Sequence, residues 1–302
     1  MIVIDSAPGG RLVDHAGVDW ARVARVRFSL HQRIRYDYGS PALRLHHRLM
    51  VLPPTFHGDQ RVLSSRVDVT GAEVVVRQCV DTFGNARYEF LAERVEEALE
   101  FEVEAEVERR PSEGMTRLPA AALFDSRLLE PTPLTWPDLA LRSAADRLAR
   151  EGPGGLALAG RINAWVFKVM RYRPGVTNVD TTAARALGLA QGVCQDYAHI
   201  MLALCRLAAL PARYVSGHLL GEGGSHAWVE VVVGDGDHAV AVPFDPTHGR
   251  EVGASYLSIA VGRDYADVAP TYGTFLGDSP GVLSSVKRLG VSELDLVGSS
   301  HP

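Results

Sequence analysis

The sequence predicts an α+β fold, in which an antiparallel β-sandwich precedes a core of helices and antiparallel strands. Three observations lead to this prediction. Residues 22–108 show a repeated two-residue alternation of apolar and charged side chains, residues 138–207 show helical spacing, and residues 211–245 return to strand patterns. Helices followed by antiparallel strands are typical of an α+β core.

Two long strands of opposite charge define the N-terminal region. In residues 22–36 the apolar side chains share one parity and the basic side chains share the other, and in residues 99–107 apolar side chains alternate with glutamates. Rows of like charge are unfavourable alone, so we predict that the two strands lie in one sheet, adjacent or one strand apart, with the charges on its outer face. Shorter strands near 61–69, 72–80 and 86–92 then suggest a β-sandwich.

The composition changes along the chain predict five segments. Prolines crowd the region after residue 110 and helical spacing begins at residue 138. Helices are expected at 138–150, at 156–171 and, as a short capped helix, at 181–187. The end of the chain carries few signals, and 282–297 forms either one strand or an irregular flap. The segments are a start at 1–20, a β-sandwich domain at 21–110, a linker at 111–137, the core at 138–275 and a tail at 276–302.

The composition favours a soluble enzyme over a polyanion-binding or membrane protein. The net charge is −5, and the basic residues are scattered, so nucleic acid is a poor candidate partner. The longest apolar stretch contains Arg161 and Lys168 and does not suit a bilayer. Three cysteines make no disulfide framework, and the chain begins without a signal sequence. We therefore expect a cytoplasmic protein without membrane contact.

Cys194 is the strongest candidate for a reactive side chain. It stands in Gly192-Val193-Cys194-Gln195-Asp196-Tyr197-Ala198-His199, where a turn meets an amphipathic helix. Free amides and the helix dipole favour an anion at such a position, which biases a thiol towards the reactive thiolate. From this segment alone, a small buried hydrophobic residue is an equally good interpretation.

The following strands supply a base and an acid. His226 opens a strand that ends at the turn Gly234-Asp235-Gly236-Asp237, and the next strand runs into Asp245. A cysteine at a helix start, a histidine on one strand and an aspartate at the end of the next form a workable nucleophilic set. The base shares the thiol proton, and the carboxylate fixes the tautomer of the imidazole.

These motifs together resemble the transglutaminase-like superfamily, in the bacterial form that carries its own N-terminal β domain. The resemblance lies in G-V-C-Q-D-Y-A-H, P-A-R-Y-V-S-G, S-H-A-W-V-E-V and F-D-P-T, and upstream in Gln60-Arg61-Val62-Leu63-Ser64 and Asp81-Thr82-Phe83-Gly84-Asn85. It implies a papain-like core, preceded by an antiparallel β-sandwich domain. It also implies that Cys194 is the nucleophile, His226 the base and Asp245 the orienting acid.

Other constellations compete with this one. A zinc site made of Cys194, His199, Cys205 and His226 fails because Cys205 lies about three helical turns from Cys194 and His199 points to another side. His199 and Cys205 are expected to pack in the core. Asp196 opposes a thiolate, so it is expected to be structural or substrate-directed.

Three further histidines, His218, His238 and His248, are rival bases, although His248 is so close to Asp245 in sequence that it leaves His226 without a role. Asp235 and Asp237 fit a turn better than a calcium loop. No metal and no cofactor are expected.

The sequence therefore predicts cysteine-dependent cleavage of an amide or peptide bond through a thioester, on a peptide, protein or other amide substrate. Transfer to a primary amine uses the same first step and remains an alternative, as does a non-catalytic interaction protein. The glycine-rich loop 221–224 suggests an open, water-accessible cleft, which favours hydrolysis. The amide of Cys194 is the expected oxyanion donor. The second donor stays open among Trp165, Tyr172 and Gln191, and so does the oligomeric state.

Overall fold

A computed structural model describes residues 12–298. It contains two antiparallel sheets and a mixed core that packs against them, so the predicted α+β class, with a β-sandwich beside a core of helices and antiparallel strands, is confirmed. The first seven strands follow one another without a helix of four residues or more. They are β1 (Val23–Tyr38), β2 (Ala42–Leu49), β3 (Phe56–His57), β4 (Gln60–Thr70), β5 (Val75–Val80), β6 (Ala86–Val95) and β7 (Ala98–Arg109).

The rest of the chain builds the core and then returns to the sandwich. The helices are α1 (Ser126–Leu129), α2 (Leu139–Arg150), α3 (Gly155–Val169), α4 (Ala183–Leu189), α5 (Cys194–Leu207) and α6 (Tyr265–Val268). The strands are β8 (Thr116–Pro119), β9 (Arg171–Tyr172), β10 (Gln191–Gly192), β11 (Ala212–Leu219), β12 (His226–Asp235), β13 (His238–Asp245), β14 (Arg250–Glu251), β15 (Tyr256–Gly262), β16 (Thr271–Leu276) and β17 (Gly281–Leu296).

The sandwich is made of a five-stranded sheet and a four-stranded sheet. Their strand orders are β17-β1-β7-β4-β3 and β16-β2-β6-β5. Aromatic rings join the two layers: Phe101 on β7 lies 4.8 Å from Phe90 on β6 and 5.0 Å from the imidazole of His47 on β2. All three side chains are buried, so the facing sides of the two sheets form one apolar core.

The predicted pairing of the two charged strands is confirmed. β1 and β7 are adjacent and antiparallel, with Arg35 opposite Glu100, and the two side chains approach to 3.4 Å. Among the glutamates of β7, only Glu108 is buried. The hydrogen bond from Arg110, with others from Arg25 and Arg27, lowers the pKa of Glu108 to about 2 despite its burial. Exposed pairs in this row contribute only tenths of a kcal/mol each.

The sheets cross the predicted segment boundaries. β17 pairs with β1 from Tyr38 to Val23, so the predicted tail contains a strand rather than a flap. β16 likewise lies beside β2, and β8, within the predicted linker, pairs with β13. The linker is therefore not merely a surface connection. The division into independent domains stays a prediction.

Helix α5 lies at the centre of the core. It packs against α2, α3, α4 and the sheet that contains β12. Its residues 195–206 are all buried, so the helix predicted to be amphipathic is enclosed on every side. Within residues 12–298, no helix combines the length and the apolar character that crossing a bilayer requires.

Two side-chain amides of the sandwich close the free edge of the core sheet. That sheet has the order β14-β13-β12-β11-β15, so one edge of β15 is open. Gln60 accepts from the amide of Ser258 at 2.9 Å and donates to its carbonyl at 2.8 Å, and Asn85 makes the same pair of bonds with Val261, both at 2.7 Å. Both amides are buried, so each behaves like a residue of a neighbouring strand.

Asn85→Leu should therefore destabilise the protein strongly. The change keeps the size of the side chain but leaves a buried N–H and a buried carbonyl of Val261 unpaired, which costs about 2–5 kcal/mol. Urea unfolding at pH 7 measures this loss, with Gln78→Leu on the exposed part of β5 as the control. A loss below about 0.5 kcal/mol, the range of neutral surface changes, would contradict the role given to Asn85.

Candidate active site

Cys194 is the first residue of α5. Asp196 fixes the segment that leads into this helix. One carboxylate oxygen of Asp196 accepts from the amide of Val193 and from the hydroxyl of Thr177, both at 2.7 Å. A Cβ at position 192 would lie 2.4 Å from that oxygen, so only glycine fits there. Burial raises the pKa of Asp196. These contacts support the structural alternative for Asp196.

The hairpin of β12 and β13 brings His226 and Asp245 together. His226 begins β12, Asp245 ends β13, and Nε2 of the imidazole lies 2.8 Å from Oδ2 of the carboxylate. Trp228 packs beside the imidazole, with 6.1 Å between ring centroids. Gly217 on β11 makes room for this indole, because a Cβ there would lie 2.4 Å from it.

The thiol of Cys194 faces the same imidazole. Its Sγ lies 4.0 Å from the carbonyl oxygen of Ser225, the residue before His226, and a hydrogen bond between the thiol and the imidazole helps to set the pKa of His226. Cys194 is partly exposed, whereas His226 and Asp245 are buried. The structure thus brings the three predicted site residues together, with the thiol as the most accessible of the three.

Asp245 receives more donors than the sequence indicated. Besides His226, its Oδ2 accepts from the hydroxyl of Tyr256 and contacts Nδ1 of His248, both at 2.7 Å, while Oδ1 accepts from the amide of Thr247 at 2.9 Å. Burial raises the pKa of Asp245, but these hydrogen bonds outweigh it and hold that pKa well below its usual range. The carboxylate therefore stays ionised although it is fully buried.

The environment favours the charged form of His226. Burial lowers the pKa of His226, but hydrogen bonds to Asp245 and Cys194 and the charges of both groups raise it to about 10. At neutral pH the imidazole is therefore protonated, which is the form that pairs with a thiolate and donates a proton to a leaving group.

Glu222 lies between His226 and His248, the two histidines that contact Asp245. Oε2 of Glu222 lies 3.3 Å from Nδ1 of His226, and Oε1 lies 3.5 Å from Nε2 of His248. His248, predicted as a rival base, thus shares the carboxylate with His226 instead of replacing it. The other two rivals lie elsewhere: His218 contacts Lys287 at 2.8 Å, and His238 lies between Asp235 and Asp237.

The rejected zinc set is not assembled. His199 and Cys205 are buried within α5, where burial lowers the pKa of His199 to about 3 and raises that of Cys205 to about 12. Nε2 of His199 accepts instead from the amide of Tyr265 at 3.2 Å. The ligand atoms of His226, Asp245 and His248 lie close enough together to hold a metal ion, but here they hydrogen-bond to one another.

One of the three oxyanion candidates lies beside the thiol. Tyr172 on β9 is opposite Gly192 in the register with β10, and burial together with the charges of Cys194 and Glu222 raises the pKa of its phenol. Trp165 lies instead beneath the guanidinium of Arg147, which is 5.6 Å from the ring, and the side-chain oxygen of Gln191 accepts from Arg173 at 3.0 Å. Tyr256 and Glu222 were missed as site residues, since no motif marks a tyrosine in an apolar strand or a glutamate in a glycine loop.

The chain belongs to the transglutaminase-like superfamily. The model of this superfamily's core matches residues 142–246, and the model of the bacterial transglutaminase-like N-terminal region matches residues 28–108. Membership supports a cysteine-dependent enzymatic function in general terms.

Several known proteins are similar to the chain. It is 34% identical to an uncharacterised protein of Mycobacterium leprae, over 54% of this chain and 60% of that protein. It is 32% identical to an uncharacterised protein of Mycobacterium tuberculosis, over 38% of this chain and 40% of that protein. The chain thus spans about half the length of the curated relatives it matches. A solved Cytophaga hutchinsonii protein, proposed to be a cysteine protease, shares the fold, with a TM-score of 0.73, 22% identity, and coverage of 92% of this chain and 94% of that one.

Iodoacetamide should alkylate Cys194 well before the other two cysteines. Cys205 is fully buried, and the sulfur of Cys79 accepts a hydrogen bond from Arg87 at 3.2 Å, whereas Cys194 is partly exposed and faces a protonated imidazole. His226→Ala should slow the labelling of Cys194 at pH 7, and Asp245→Asn should slow it less. Mass spectrometry of each cysteine peptide over time gives the rates. Equal rates at all three cysteines in the native protein would count against a reactive thiolate.

Proposed function

We propose that the chain is a cysteine hydrolase that cleaves an amide or peptide bond through a thioester on Cys194. The observation that carries this proposal is the fully buried Asp245 carboxylate, 2.8 Å from an imidazole whose pKa is raised and whose other side faces the thiol. Burying a carboxylate costs free energy, and a non-catalytic protein gains nothing from placing one next to an imidazole and a partly exposed thiol.

In the first half-reaction, the thiolate of Cys194 attacks the carbonyl carbon of the amide. The C–S bond forms, and the carbonyl oxygen becomes an oxyanion. The imidazolium of His226 then gives its proton to the leaving nitrogen as the C–N bond breaks, which releases the amine and leaves a thioester. Asp245 keeps the imidazole oriented throughout and stabilises its positive charge.

In the second half-reaction, water attacks the thioester while neutral His226 takes its proton. The C–S bond breaks, the acid leaves, and the thiolate–imidazolium pair is restored. Water is the favoured acceptor because loop 221–225 is exposed along its whole length and Cys194 is open to solvent beside it. The assignment of the Cytophaga hutchinsonii neighbour as a cysteine protease agrees with this choice.

Two groups are placed to bind the oxyanion. The amide of Cys194 lies in the first turn of α5, where amides have no acceptor within the helix. The phenol of Tyr172 is the second proposed donor, because β9 lies beside the segment that leads into the thiol. Its raised pKa keeps the phenol protonated and therefore able to donate.

The reaction is tested with acetylated peptide amides and glutamine-containing peptides, each with and without an excess of labelled cadaverine. We expect free acid to be the main product in both arms, with Cys194→Ala inactive and Cys79→Ala active as the matched control. Mass spectrometry separates acid from labelled amide. A dominant labelled product would assign amine transfer instead. The absence of any turnover across the peptide set, with Cys194 still readily alkylated, would favour the non-catalytic alternative.

Tyr172→Phe should lower kcat roughly 10²–10³-fold if its phenol binds the oxyanion. KM should change little, because the hydrogen bond is made to charge that develops only in the transition state. Steady-state kinetics on an accepted amide measure the split, and Tyr272→Phe on the exposed face of β16 is the control. A rise in KM at constant kcat would show that Tyr172 binds substrate and is not an oxyanion donor.

A further inference from the structure

A cavity lies between the sandwich and the core, near the thiol of Cys194. Its volume is about 350 Å³, enough for a single amino-acid residue, and its walls come from β1, β11, β15 and β17. It borders the reacting group through Ser225, which lines the cavity and whose carbonyl oxygen lies 4.0 Å from the sulfur of Cys194. A molecule that extends from this cavity past Ser225 would reach the thiol.

The walls of the cavity combine apolar and polar side chains with one cation. Side chains such as Ile34, Met50 and Ile259 supply the apolar surface, and Lys287 supplies the charge. No aspartate or glutamate lines this cavity in the part of the chain that the structure describes. The combination suits a ligand with an aliphatic side and a negative group.

Lys287 is placed to bind that negative group. Its ammonium contacts Nδ1 of buried His218 at 2.8 Å and donates to the carbonyl of Gly224, so two of its three donors are used. Burial lowers the pKa of Lys287 to about 8, which reflects the lack of a close carboxylate. The carboxylate of Glu222, whose charge acts on Lys287, lies against the imidazoles of His226 and His248 instead.

A lysine at position 287 is unusual because this chain uses arginine for almost all of its basic residues. The chain has 31 basic residues, of which only Lys168 and Lys287 are lysines. The arginines of β1 are paired with carboxylates on β7 and β17, as in the contacts of Arg25 with Glu108 and Asp295. Lys287 lies on the strand next to β1, opposite Gln32, but its ammonium points to the core and meets no carboxylate within ion-pair distance among residues 12–298.

We propose that this cavity binds a carboxylate of the substrate, carried next to an aliphatic group, with the ammonium of Lys287 as its partner. The assignment to the substrate rests on the proposed function, and it narrows the substrate class to amides with a neighbouring carboxylate. Such a carboxylate is either the C-terminus of a peptide or an acidic side chain. Either carboxylate would form a charge-assisted hydrogen bond with the third donor of Lys287.

The binding step is tested in a Cys194→Ala background, so that its outcome does not depend on turnover. The probes are N-acetyl-leucine, N-acetyl-leucinamide and the α-amide of N-acetyl-glutamate, and calorimetry measures their affinities. We expect at least one of the two acids to bind and leucinamide to bind far more weakly. The preferred acid assigns the carboxylate to a C-terminus or to a side chain. Lys287→Met should weaken binding of the acid by at least about ten-fold, whereas Lys168→Met on the exposed face of α3 should not.

The rate of lysine acetylation in the unsubstituted protein gives a second measurement. This measurement can be made even if the Lys287→Met variant does not fold. At an acid concentration of ten times Kd, the acetylation of Lys287 should slow roughly ten-fold, while that of Lys168 stays unchanged as the internal control. Equal protection by the acid and by leucinamide, or protection by neither, would overturn the proposal. These outcomes do not depend on whether amide cleavage is observed, so failure of the two proposals is distinguishable.

Discussion

The docking of Gln60 and Asn85 on the open edge of β15 is the contact on which the rest of the arrangement depends. An unpaired strand edge buried under a second layer would leave amides and carbonyls without partners, at about 1–3 kcal/mol for each group. Two carboxamides supply the missing donors and acceptors at Ser258 and Val261. Because each carboxamide both donates and accepts, no other side chain of similar length replaces it without loss. The sandwich therefore meets the core in one register, and the cavity beside Cys194 exists because of that register.

The residues of the proposed active site could be found from the sequence because each carries a local physical signal. Cys194 stands at a helix start, His226 opens a strand, and Asp245 ends the next one, and each element begins or ends as predicted. The paired charges of β1 and β7 were predictable for the same reason, since a period of two is visible without any knowledge of the fold. Their roles in a reaction remain proposals, but their proximity follows from strand geometry.

The elements that the sequence did not reveal lack such local signals. In β2, Arg44 has a left-handed backbone with φ of 50°, which interrupts the alternation of the strand. β15 is buried on both faces, so its seven residues show no alternation at all. β17 was ambiguous because its register is set by β1, more than 240 residues earlier in the chain. Tyr256 and Lys287 lie on β15 and β17, so they could be identified as candidates only once those strands were placed.

Positively charged side chains occur in two kinds of environment in this molecule. On the outer face of the sandwich, arginines form several contacts with carboxylates, as Arg25 does with Glu108, Glu293 and Asp295. Their positive charge is therefore balanced within the fold. Around the thiol, the protonated His226 is balanced by Asp245, which is held ionised by three donors on one oxygen. Lys287 alone among these cations lines the cavity near the thiol and has a neutral histidine for a neighbour, since burial lowers the pKa of His218 to about 3. A cation that the fold leaves unbalanced beside a nucleophile is the feature expected of a binding group, because its desolvation is recovered only when an anionic ligand arrives.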